Sequence, residues 1–190
     1  MNNNKNTGFS LIEVLVIVTF ASISLAVSIP NMTSFVYRQR LNTANREIYN
    51  AIRSTQAEAA RRKETWQISF RQTSGYVEWA RHHKDTPLDQ VVRWHQIDPD
   101  IQIDQANTID WWETNYMFDP DIGDYFWFLR FDHNGHFLDP DRRIQDPSFN
   151  RAQITLQLSN RVDRSDVARR CTVIETVIGA MRVEKDDNCR

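Results

Sequence analysis

The chain has 190 residues and a formal charge of -2, enough length for one globular domain with an anchor and too little for two comfortable domains. A near-neutral balance excludes a polycation built to coat nucleic acid, and removal of Lys5 with the first residues leaves the chain one unit more negative. Arginines stud the region from Arg38 to Arg62, the stretch Asp85 to Asp124 is acidic, and Arg142 to Arg170 is basic again, an alternation that ordinarily reads as solvated faces.

In chain order, Met1 to Gly8 is a polar leader with one positive charge, and Phe9 to Ile29 is apolar except for Glu13 and a few hydroxyls. At about 1.5 Å per residue, a helix of that length crosses a hydrocarbon layer of roughly 30 Å. A lone carboxylate there is costly to bury and calls for a cationic partner. The leader lacks an apolar core of its own, unlike a secretory signal peptide. An uncleaved anchor, or ordinary cleavage after Ala26-Val27-Ser28, stays open as an alternative, although neither needs an acid at position 13.

Beyond Pro30, Leu41, Ala44, Ile48, Ala51 or Ile52, Thr55 and Ala59 recur at helical spacing with charges on the other faces, which predicts an amphipathic helix ending near Lys63 to Thr65. Trp66 to Phe70 then alternates, and Ser74-Gly75 followed by Tyr76 to Ala80 reads as a hairpin. Val91 to His95 reads as a strand or the edge of one, Ile101 to Ile103 as a short strand and Tyr125 to Phe131 as the strongest strand. A turn at Asp132 to His136 follows, with Asn134-Gly135 suited to positive φ. Period two over Ala152 to Leu158 turns Ile154, Leu156 and Leu158 to one side. Cys171 to Glu175 and Gly179 to Val183 form a closing hairpin. A long helix followed by antiparallel strands is an α+β order.

The run Gly8-Phe9-Ser10-Leu11-Ile12-Glu13-Val14-Leu15-Val16 resembles the processing and assembly motif of type IV prepilins and type II secretion pseudopilins. The resemblance implies a pilin-like fold, with residues 1–8 as leader peptide, 9–30 as transmembrane and assembly helix, 31–64 as its amphipathic continuation and 65–190 as an extracytoplasmic β-rich domain. It implies cleavage after Gly8 by a prepilin peptidase, an N-methylated Phe9, a helix bend at Pro30, and Glu13 as the carboxylate that meets a neighbouring subunit's terminal amine. Implied partners are that peptidase, other major and minor pilins or pseudopilins, an inner-membrane assembly platform, and membrane lipid before assembly. Lys5 against Arg38 and Arg40 leaves the positive-inside rule ambiguous or contrary. The resemblance sets the N-terminus inside and the distal domain in the periplasm.

The distal half, with Phe131, Gly135, the strand near Ile154 and the closing hairpin containing Gly179, is similar to the GspH/FimT group of minor pilins and pseudopilins. One branch of that group binds DNA through a C-terminal Gly-Arg-x-Arg element. Here Gly179-Ala180-Met181-Arg182 keeps the glycine and the last arginine only. The basic residues available for a DNA-uptake role are Arg161, Arg164, Arg169, Arg170, Arg182, Lys185 and Arg190.

An oxidising compartment would let Cys171 and Cys189, the two cysteines of the chain, pair. They do not form a zinc motif with the histidines, and His133 and His136 read as turn residues rather than ligands. No cofactor is expected. The Asp-Pro-Asp loops at Asp98, Asp119 and Asp139 are oxygen-rich sites that calcium can occupy, but they lack an EF-hand ladder and read first as turn initiators. The aromatic runs Trp111-Trp112 and Tyr125 to Phe128 read as core before they read as a stacking surface. Phosphate loops, nucleophile elbows and paired His/Cys nucleophiles are absent from the sequence, so no enzymatic site is inferred.

Overall fold

The structure, a computed structural model, describes residues 10–73, 75–108, 116–119, 124–138, 152–159 and 168–189, with 26–34, 116–119, 124 and 125 described by backbone alone. The chain divides into two units, Met1–Arg38 and Gln39–Arg190. Helix α1, Leu11–Arg62, contributes residues to both.

In the first unit the helix opens with Ser10, whose carbonyl accepts from the Glu13 and Val14 N–H groups at 3.0 and 3.2 Å. Glu13 lies in its first turn, where the positive end of the helix dipole favours an anion. The side chains from Leu11 to Leu25 are exposed. Hydroxyls in this stretch bond their own helix: Thr19 Oγ1 donates to the Val16 carbonyl at 2.8 Å, Ser22 Oγ to Val18 at 2.7 Å and Ser24 Oγ to Phe20 at 2.9 Å. Pro30 lies within α1, in the stretch described by backbone alone.

In the second unit, Leu41, Ala44, Ile48, Ala51, Ile52, Thr55 and Ala59 are buried, the stripe that the sequence spacing predicts. The helix ends at Arg62 because Lys63 takes a left-handed φ of 60° and the Glu64 N–H reaches back to the Ala59 carbonyl at 3.4 Å, a Schellman closure.

Two antiparallel sheets pack on this part of the helix. The first contains β1 (Trp66–Gln72), β2 (Val77–His83), β3 (His95–Gln96), β5 (Tyr116–Asp119), β6 (Asp124–Phe131) and β7 (Phe137–Leu138), in the order β3-β2-β1-β6-β5 with β7 also on β6. The second contains β4 (Ile101–Ile103), β8 (Ala152–Leu158), β9 (Arg170–Ile174) and β10 (Met181–Lys185), in the order β10-β9-β8-β4. The helix bonds both: Trp79 Nε1 donates to Glu47 Oε1 at 3.0 Å from the first sheet, and Thr172 Oγ1 to Asn45 Oδ1 at 3.2 Å from the second. The α+β class and the helix-then-strands order are as the sequence predicts.

Two local expectations are corrected, and one is extended. Val91 to His95 is a strand only at its end, β3; Trp94 instead lies under Arg71, whose guanidinium carbon is 4.2 Å from the ring centroid, and 6.3 Å from the Phe126 ring. That segment lies over the face of the first sheet that carries Arg71 and Phe126. Positive φ in the turn after β6 belongs to Gly135 alone, at 80°; Asp132 Oδ1 accepts from the Asn134 and His136 N–H groups, both at 2.8 Å, and holds the turn. In β8 Ile154, Leu156 and Leu158 share one buried face, as period two predicts, and the other face is buried as well, because Gln153 and Thr155 bond the Asn107 carbonyl of a loop that lies over them.

Candidate functional site

The proposed processing residues Gly8 and Phe9 lie outside the described residues. What is described of the assembly segment is a helix whose exposed surface is almost entirely aliphatic or aromatic: Leu11 is 85% exposed, Phe20 69% and Ile23 64%. Glu13 is the one ionisable group between Ser10 and Leu25, so its cationic partner must come from another segment or another molecule. Among the described residues no helix is long and apolar enough to cross a membrane; the described side chains of the apolar segment stop at Leu25.

Cys171 and Cys189 are joined in a disulfide, with Cα atoms 5.6 Å apart. Both are fully buried and pack with Val173. The bond ties the short 3-10 turn Asp186–Cys189 to the middle of the second sheet.

Among the described residues, the basic side chains of the DNA-uptake reading do not converge on one surface. Arg169 is buried, and its Nε donates to Asp104 Oδ2 at 2.6 Å. Arg170 is buried as well, held by Asn42 Oδ1 at 2.6 Å and Asp186 Oδ1 at 3.0 Å. Arg182 is exposed but bridges Glu175 at 2.8 Å and Glu184 at 2.5 Å. Lys185 is exposed, and Arg161, Arg164 and Arg190 lie outside the described residues. The Gly-Ala-Met-Arg stretch opens β10, and Gly179 has a φ of 74°.

Of the oxygen-rich loops, the first is described: Asp98 Oδ1 accepts from the Asp100 N–H at 3.0 Å, and both carboxylates face Arg40, which donates to Asp100 at 2.6 Å. Pro120 and the loop at Asp139-Pro140-Asp141 lie outside the described residues, as do Trp111 and Trp112. His133 contacts Asn134 and His136 faces Asp132 at 3.6 Å. Among the described residues no three His, Cys, Asp or Glu side chains are grouped as metal ligands.

Sequence reading missed Gln56, half-buried on α1, whose Nε2 donates to the Gly135 carbonyl at 2.9 Å and to Ile178 at 3.0 Å. It also missed the covered polar face of β8. A usable signal was present for the latter: Gln153, Thr155 and Gln157 are polar but uncharged, whereas a wet strand face ordinarily carries Lys or Glu.

No family model and no curated protein matches the chain. Among solved structures, the type IV minor pilin FimU of Pseudomonas aeruginosa is similar at 13% identity and a TM-score of 0.44, with 79% of this chain and 92% of that one covered.

Proposed function

We propose that this chain is a minor pilin or pseudopilin, a structural subunit that is cleaved after Gly8 by a prepilin peptidase, methylated on Phe9, and drawn from the inner membrane into a type IV pilus or a type II secretion pseudopilus. Its distal domain is then periplasmic before assembly and part of an extracytoplasmic filament afterwards.

The observation that carries this reading is the first unit of the structure: an exposed apolar helix with a single carboxylate in its first turn. The hydroxyls of Thr19, Ser22 and Ser24 are satisfied by their own helix backbone, so this stretch enters lipid or a bundle of like helices without stranding them. Glu13 is the exception. A free amine on a neighbour's Phe9, cationic at neutral pH, supplies the opposite charge, and the pair sets the stagger between subunits. The disulfide agrees with an oxidising compartment.

The test is N-terminal sequencing with intact mass of the membrane-extracted protein from cells with an active prepilin peptidase, together with filament incorporation of Glu13→Ala. The expected product begins at a methylated Phe9, and the variant is processed but excluded from filaments. Recovery of the chain with Met1 to Gly8 attached would overturn the reading.

The DNA-uptake role has less support, because Arg169 and Arg170 serve internal partners and Arg182 is doubly paired with glutamates. A gel-shift titration at low salt decides it: phosphate-driven binding falls steeply with added salt, and absence of binding removes the role.

A further inference from the structure

At the end of the second unit where β1 gives way to β2, a cleft of about 320 Å³ opens between the two sheets, walled by Gln72 and Tyr76 on one side and by Pro99, Ile101, Gln102 and Ser159 on the other. We propose that this cleft binds a neutral saccharide.

Among the described residues the lining contains no charged side chain. The acids that flank Pro99, Asp98 and Asp100, share the one guanidinium of Arg40, and two carboxylates against one cation disfavour an anionic ligand. What the walls present is planar amides, hydroxyls and one phenol. Gln72 uses its Oε1 to accept from the Ile103 N–H at 2.8 Å, which leaves its NH₂ to face the cleft. Within the described structure the Gln102 amide and the Ser159 and Tyr76 hydroxyls have no hydrogen-bond partner. Gln102 stands opposite Gln157 in the strand register, but the buried Oε1 of Gln157 accepts from no donor, so that neighbour does not engage it through this oxygen. Amides offer a donor and an acceptor side by side, the match for adjacent sugar hydroxyls. Tyr76, 37% exposed, adds an aromatic face for the C–H side of a pyranose ring and a hydroxyl at its edge. The volume falls at the lower end of the range of small-ligand sites and suits one or two sugar rings.

A peptide strand is the competing occupant, since β4 is the edge of its sheet. The register shows why it fits poorly. Asp104 N–H bonds Thr155 and Ser159 N–H bonds Asp100 across to β8, which turns the N–H groups of Ile101 and Ile103 outward. Both are already taken, by the Asp98 carbonyl at 3.0 Å and by Gln72 Oε1. The edge therefore has no donor in β4 to offer an added strand, and recognition falls to the side chains.

The experiment is saturation-transfer NMR on the full chain, held in a detergent without a sugar headgroup, against glucose, galactose, N-acetylglucosamine, maltose and lactose at about 10 mM, high enough to detect millimolar affinity. Glucose-6-phosphate and N-acetylneuraminic acid serve as charged controls. The expected result is transfer to the ring protons of at least one neutral sugar, reduced at least about fivefold in both Tyr76→Ala and Gln102→Ala, with weaker transfer to the charged controls. Tyr76 lies at the surface, so its removal leaves the fold intact, and a matching amide spectrum for each variant checks this. Absence of transfer from every neutral sugar, transfer undiminished in both variants, or stronger binding of the charged sugars each overturns the proposal.

Discussion

Gln56 of the helix fills the space that a side chain on Gly179 would need: its amide nitrogen contacts the position of a Cβ built on that glycine while donating to the carbonyls of Gly135 and Ile178. One amide thus fastens two turns, one from each sheet, to the helix. Gly179 is excluded from substitution twice, by this contact and by its φ of 74°.

Gly179→Ala is expected to lower the unfolding free energy by about 2–3 kcal/mol, about 1–2 from the left-handed backbone and the rest from displacing Gln56. The double-mutant cycle with Gln56→Ala, read by chemical denaturation of the full chain, separates the two. In the Gln56→Ala background the cost of Gly179→Ala falls to the backbone part alone. Full additivity would mean that the contact carries no energy.

The same pair marks the limit of what the sequence discloses. The helix stripe from Leu41 to Ala59, the first hairpin, β6, β8 and the closing hairpin were legible because period 3.6 or period 2 is written into consecutive residues. Gln56 sits off that stripe and is neither apolar nor charged, and its partners are carbonyls about eighty to about one hundred and twenty residues away, so local pattern carries no trace of it. Arg169 and Arg170 misled for a related reason. A pair of arginines in a basic stretch is a surface patch by default, and only the strand register, which sets Arg170 opposite Lys185 and Leu156, turns it inward to Asn42. The N-terminal segment was legible as a helix, observed from Leu11 onward, because an apolar run needs no tertiary context to be read.

Arg169 and Asp104 form a buried ion pair, with side-chain exposures of 10% and 5%. Among the described residues, Arg169→Ala leaves Asp104 with Asn107 Nδ2 at 2.9 Å as its remaining side-chain donor. The loss is expected to be about 3–5 kcal/mol, the usual cost of stranding one partner of a buried pair, and to change little between low and high salt, because the pair is shielded from mobile ions. Denaturant titrations at two salt concentrations measure both. An Arg169→Ala protein of unchanged stability would place this arginine at the surface.

The disulfide closes a loop with a sequence separation of 18 residues, for which chain-entropy arguments give about 3 kcal/mol. Replacing both cysteines by serine also buries two hydroxyls in an apolar cluster with Val173, so the double alanine variant is the cleaner probe. Its expected loss is about 3 kcal/mol by thermal or denaturant unfolding. Because both sulfurs are fully buried, the folded protein should resist reduction by a mild thiol until denaturant is added, which a thiol-labelling time course reports.

Acid sensitivity is expected to come in two steps with different owners. Glu58 accepts from Arg61 and Arg62, and these hydrogen bonds bring its pKa down from 4.5 to about 2. Its share of stability is complete above the unfolded value and is lost as pH falls through about 2; being exposed, the cluster is screened, and high salt should move the carboxyl back toward its ordinary range in an NMR titration. His82 acts earlier. Burial pushes its pKa below the ordinary 6.5. Its ring closes a relay in which Arg130 Nε donates to Gln67 Oε1 at 2.6 Å and Gln67 Nε2 to Ser69 Oγ at 2.9 Å, with Ser69 Oγ 2.9 Å from His82 Nε2. With Nδ1–H directed to the His83 carbonyl at 2.9 Å, Nε2 is the acceptor for the Ser69 hydroxyl, an assignment that the network dictates. A second proton on Nε2 leaves that hydroxyl without its acceptor and adds a positive charge near Arg130. The unfolded chain takes up this proton first, so stability declines once pH drops below about 6.5 and stops declining below the folded value. His82→Gln is expected to cost about 1–2 kcal/mol at pH 7.5 through the altered relay and to flatten the stability profile as pH falls below about 6.5. A His82→Gln profile that kept the wild-type slope would assign the first acid step to another group.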